Sequence, residues 1–134
     1  MTNGERLAAA ALSFVGVPFR LHGRHASTGL DCVGLLSASL AAIGKAPPVP
    51  VGYTMRNRNV DRWLPLVKLA GLFEGQPPIE TGDILLAHLS CQQHHILIAD
   101  TPDSVVHAHA GLRRVVREAG RSLETIERIW RLEN

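Results

Sequence analysis

Partway along this chain the spacing of its apolar residues changes from a helical period to strand-like alternation, and that change limits the folds open to it. In the first 43 residues apolar side chains recur three and four positions apart; from Gly82 onward they fall in short β-prone runs separated by turn residues. Helices followed by a run of strands define an α+β domain, with N-terminal helices packed on a C-terminal antiparallel β-sheet. At 134 residues the chain has the length of one domain, 1–134, with room for a real core.

The helical half is well punctuated. Thr2 and Glu5 have the spacing of a capping box, and Leu7, Ala8, Ala11, Leu12 and Val15 share a helical face that Gly16 and Pro18 bring to an end. Residues 17–31 read as a loop. A second helix is expected over 32–43, capped by Asp31 and stopped by Gly44, Pro47 and Pro48, with Cys32, Leu36, Ser39, Leu40 and Ile43 as its buried stripe. Residues 44–56 form a proline-rich connector, and Val60 to Leu72 suggest a third helix interrupted by Pro65. Strands are expected over 83–87, 95–99, 104–109 and 112–118, while 125–132 fits either a helix or a strand.

Composition excludes several functions. A net charge of +2 and an aromatic content of 4% give neither the basic face nor the stacking platform of a nucleic-acid binder. No apolar run is long enough to insert in a membrane. Two cysteines, Cys32 and Cys91, make no disulfide framework. The first residues lack a basic region followed by an apolar run, so a cytoplasmic protein is expected as synthesised, carried to any outside target by a particle or partner.

Chemistry concentrates at two places. Cys32 opens the second helix, where unpaired N–H groups and the helix dipole favour a thiolate, although the neighbouring Asp31 opposes this. Downstream, residues 101–103 form a turn. A hairpin centred on residue 101 places His95 across from His107, with Cβ atoms about 5 Å apart, and His109 on the same face. Packing the helix on this sheet would bring together a nucleophile, a base and an orienter: Cys32, His95 and His107, with His109 as the alternative orienter. The Cys32 backbone N–H is a natural oxyanion donor.

The order of motifs resembles the NlpC family, papain-like cysteine peptidases of bacterial cell walls. The likeness is carried by Pro18-Phe19, Gly23, Gly29-Leu30-Asp31-Cys32-Val33-Gly34-Leu35, Gly82-Asp83-Ile84-Leu85, His95-Ile96-Leu97-Ile98 and His107-Ala108, and spans roughly residues 5–132. It implies catalytic Cys32, His95 and His107, and hydrolysis of peptidoglycan stem peptides after a γ-linked D-glutamate. It implies no cofactor and no metal, and tips 125–132 towards a strand. Phe19, His22 and Asp31 become candidates to line the substrate cleft. The form is most similar to enzymes of phage tails and gene-transfer agents, so particle proteins are expected partners. Three positions depart from the family pattern: Phe19 stands where a tyrosine is common, His22-Gly23 where a glycine pair is common, and Leu97 where a glycine is usual.

Other readings follow from the same residues. Cys91, His94, His95, His107 and His109 are ligand types that zinc prefers, but they lack tight paired spacing. The fold could also serve as a non-catalytic assembly module, or as an amidase or acyltransferase on another substrate.

Overall fold

The computed structural model describes residues 1–45, 71–88, 94–120 and 126–133. Most of the expected connector, nearly all of the expected third helix, and Cys91 lie outside these residues.

Helix α1 (Asn3–Ser13) begins at the expected capping box, with the Glu5 N–H donating to Thr2 Oγ1 at 3.0 Å. Its buried face is narrower than the sequence suggests. Leu7, Ala8 and Ala11 are buried, whereas Leu12 and Val15 are exposed and the helix closes at Phe14. Helix α2 (Cys32–Ala42) differs in the opposite sense. Besides Cys32, Leu36, Ser39 and Leu40, it also buries Val33, Gly34 and Leu35. A helix apolar on nearly every side is a core helix rather than a surface one, and α2 packs against both α1 and the sheet.

Two short strands, β1 (Arg24–His25) and β2 (Gly29–Leu30), pair within the loop that precedes α2. The remaining six strands are β3 (Leu72–Glu74), β4 (Ile84–His88), β5 (His94–Thr101), β6 (Ser104–His109), β7 (Arg114–Ala119) and β8 (Ile126–Leu132). They form one antiparallel sheet in the order β3-β8-β4-β5-β6-β7. The last segment is therefore a strand. Leu72, placed by its spacing at the end of a helix, instead opens the edge strand β3.

Both faces of the central strands are buried, which explains why they read as continuous apolar runs rather than clean alternations. Ile84, Leu86, Ile96, Ile98, Val106, Ala108 and Val115 join the helices in the main core. Leu85, Ala87, Leu97, Ala99, Val105 and Ile129 form a second cluster on the other face.

The β5–β6 hairpin holds a correction. The tight turn is Pro102-Asp103, between the paired Thr101 and Ser104, and a bulge falls between Ala99 and Thr101. Ile98 consequently pairs with Val106 and Ala99 with Val105, a register displaced by two residues from one centred on residue 101. A displacement of two leaves every side chain on its original face; a displacement of one would have exchanged them. The Asp100 carboxylate at the bulge is buried, accepting from Ser104 Oγ at 2.7 Å and from Arg117 Nε at 2.6 Å. This bonding holds the bulge, because a carboxylate buried without such donors would be costly.

Candidate active site

Three backbone segments converge at the start of α2. The loop before it is drawn tightly against the helix. A Cβ on Gly34 would lie 1.9 Å from the Gly23 carbonyl oxygen, so only glycine allows this approach. Asp31 fixes the same junction. Its Oδ1 accepts from the Gly34 N–H at 2.8 Å and from Arg24 Nη1 at 3.1 Å, and its Oδ2 accepts from the His22 N–H at 2.7 Å. The carboxylate is fully buried in this cap. It holds the loop to the helix, in the capping role its position before α2 suggests. His22 contributes its backbone N–H and takes a left-handed φ of 62°, with its ring exposed. Phe19 packs against the main core, its N–H bonded to the Arg113 carbonyl.

Cys32 is thereby held in the first turn of α2, with a relative exposure of 6%. Three backbone N–H groups face its sulfur: those of Ile96, Val33 and Cys32 itself. The Ile96 contact places the thiol against β5, one residue beyond His95. The thiol is nevertheless pushed up to about 11, first by burial and also by the Asp31 charge, against which the N–H groups act in the lowering direction. Burial here outweighs the lowering influence of the helix terminus.

The histidines meet beside this point. The paired register of β5 and β6 runs only from Thr101/Ser104 to Ile98/Val106, so His95 and His107 lie on the strand ends beyond it. There the side chains make the connection: His95 Nε2 and His107 Nδ1 are 2.9 Å apart, with the rings edge-on at 79°. Both residues are buried. They belong to the face of Leu97 and Val105, while Ile96 points into the helical core with Cys32. The thiol therefore approaches along the His95–Ile96 backbone, at the place where the strands have parted. Nε2 is thus the His95 nitrogen engaged with His107.

Of the two possible orienters, His107 makes the contact. His109 Nδ1 instead accepts from the Leu112 N–H at 3.0 Å in the following turn, its ring centroid 5.4 Å from that of His107. Two features of the site escaped the sequence reading. One is the Ile96 N–H, for which no residue-type signal exists. The other is Glu118 on β7, whose Oε1 lies 3.7 Å from His107 Nε2; strand alternation over 116–118 could have placed it on the histidine face.

A helix N-terminal cysteine set against an antiparallel sheet that carries paired histidines is the papain-like α+β arrangement. No family model matches the chain, and no curated protein matches it, but solved structures do. The NlpC/p60 domain of the peptidoglycan hydrolase SagA superposes with a TM-score of 0.68 at 20% identity, over 98% of this chain and 100% of that one. The peptidoglycan hydrolase RipB from Mycobacterium tuberculosis gives 0.69 at 19% identity, covering 98% and 65% of the two chains. An NlpC/P60 family protein from Bacillus cereus gives 0.68 at 17%, covering 96% of this chain but only 39% of its own length. The chain thus spans the whole of one of these structures and well under half of another. The fold is that of NlpC/p60 domains, with two helices packed on a six-stranded antiparallel sheet among the described residues.

Proposed function

We propose that this protein is a cysteine peptidase that hydrolyses peptidoglycan stem peptides, cutting after a γ-linked D-glutamate. The observation that carries the reading is the buried His95–His107 pair beside a thiol that three backbone N–H groups face. Similarity of fold to peptidoglycan hydrolases supports the substrate class. The bond and the particle-borne setting rest on the sequence resemblance alone.

The chemistry follows from the resting protonation. Because the thiol is neutral near pH 7, His95 Nδ1 takes its proton as sulfur attacks the peptide carbonyl, giving a tetrahedral oxyanion. Backbone N–H groups at the helix terminus, that of Cys32 foremost, can donate to this oxyanion, a role in which Phe19 offers no hydroxyl. The imidazolium then returns its proton to the departing amine as the C–N bond breaks, leaving a thioester on Cys32. Water, deprotonated by His95, attacks the thioester and releases the acid, and the thiol regains its proton. His107 orients the His95 ring and accepts from its Nε2–H throughout. No cofactor is required.

Digestion of purified stem peptides by wild type and by Cys32→Ser, followed by mass spectrometry, tests this directly. New fragments from the wild type alone support the proposal, and their masses identify the bond. Absence of fragments from both, together with Cys32 alkylating no faster than an ordinary buried thiol in the wild type, would leave the assembly module as the better reading.

A further inference from the structure

The mechanism leaves one feature of the site unused: the carboxylate on β7. Val116 stands opposite His107 in the β6–β7 ladder and Glu118 opposite Val105, so Glu118 is the diagonal neighbour of His107 on the same face. Its Oε1 is 3.7 Å from His107 Nε2, while Nδ1 of the same ring lies 2.9 Å from His95 Nε2. Each nitrogen of His107 therefore faces a different group.

Those two contacts bear on which tautomer His107 adopts. For His95 to carry the thiol proton, its Nε2–H must donate to a bare Nδ1 on His107. A neutral His107 with a bare Nδ1 holds its proton on Nε2, the nitrogen that faces Glu118. A carboxylate beside Nε2–H favours that tautomer. The opposite tautomer would donate from Nδ1 into His95 Nε2, forcing the His95 proton onto Nδ1, where it would block acceptance of the thiol proton. We propose that Glu118 is a positioning residue of the active site: acting through His107, it selects the tautomer in which His95 can serve as the base. The proposal rests on the reading of Cys32, His95 and His107 given above.

Two further titratable groups near this pair belong to the described residues. His109 approaches His107 from the same strand, and Cys32, with Asp31 behind it, meets the Ile96 N–H one residue beyond His95 from α2. None of them presents an anion to His107 Nε2. The side chain of Glu118 is 42% exposed, so solvent screens its charge and the effect on rate is limited to about threefold to tenfold.

The test reads Cys32 alkylation by iodoacetamide across pH, resolved from Cys91 by peptide mass spectrometry, in wild type, Glu118→Gln, Glu118→Ala and His95→Ala. It is paired with 15N NMR of the His107 ring. Expected is an alkylation rate at pH 7 that falls from wild type to Glu118→Gln to Glu118→Ala, with His107 losing its Nε2–H preference in the same order. A Glu118→Ala profile and His107 tautomer identical to wild type, while His95→Ala slows alkylation, would overturn the role of Glu118 and leave the catalytic assignment standing. If His95→Ala alkylates as fast as wild type, the catalytic assignment falls and this proposal falls with it.

Discussion

His95 Nε2 and His107 Nδ1 are joined at 2.9 Å across two strands whose ladder has already ended at Ile98 and Val106. The imidazole contact takes over where backbone pairing stops. The opening it bridges is also where the Ile96 N–H meets the Cys32 sulfur.

His107→Ala should lower kcat/KM on a cleavable peptide on the order of a hundredfold, less than the ~10²–10⁴-fold loss from removing the base in His95→Ala. His107→Asn should recover part of the loss, because its amide oxygen can accept the His95 Nε2–H. Steady-state kinetics of the three variants decide it. If His107→Asn is no better than His107→Ala, the role of Nδ1 as acceptor is wrong.

Much of this arrangement was legible in the residues. The capping box of α1, the Asp31 cap of α2 and the pairing of His95 with His107 on one face all follow from local rules that the structure obeys. The hairpin register is displaced by two residues because the turn lies at Pro102-Asp103, three positions off in register, and the bulge, where Asp100 meets Arg117 17 residues away, takes one back. The face assignment survived because side-chain direction has a period of two. How far burial raises the Cys32 thiol was not legible for a related reason. A helix terminus is visible in sequence, whereas the depth to which the surrounding structure buries the sulfur is not. The two-residue strands β1 and β2 are too short to carry a periodic signal.

Gly34→Ala opposes local propensity to packing. Alanine is favoured over glycine inside a helix by about 1 kcal/mol. Here the added methyl would stand 1.9 Å from the Gly23 carbonyl oxygen, a backbone atom that can yield only by moving the loop. The overlap should win, with a net loss of about 2 kcal/mol or more in urea unfolding and a fall in activity as the start of α2 shifts. A Gly34→Ala protein as stable as wild type would show that the loop is not held against the helix.

Asp31→Asn separates two duties of one side chain. Asparagine is a good N-cap, so the Gly34 N–H remains satisfied. The negative charge that raises the Cys32 thiol is removed, and its pKa should move down from about 11. Arg24 meanwhile loses the carboxylate among its partners, costing about 1–3 kcal/mol because the pair is mostly buried. The expected outcome is a protein that is less stable yet alkylates more readily at Cys32 as pH rises. Thiolate absorbance against pH reads the first of these shifts, and chemical denaturation the second.

Cys32 should also shape the alkaline limit of stability. In the unfolded chain its thiol ionises near 9.0, whereas in the folded protein burial pushes it up to about 11. Below pH 9 both states hold the proton and the group contributes fully. Between those values the unfolded state has released its proton and the folded state has not, so the unfolded state binds fewer protons and stability falls as pH rises. The loss approaches about 3 kcal/mol once the folded thiol ionises. Cys32→Ala lacks this group, so its stability should decline less than that of the wild type from pH 9 to 11. Comparing the two proteins removes the contributions of lysine and tyrosine, which titrate alike in both. Parallel curves would mean that the folded thiol does not ionise above its unfolded value, and that burial does not raise it.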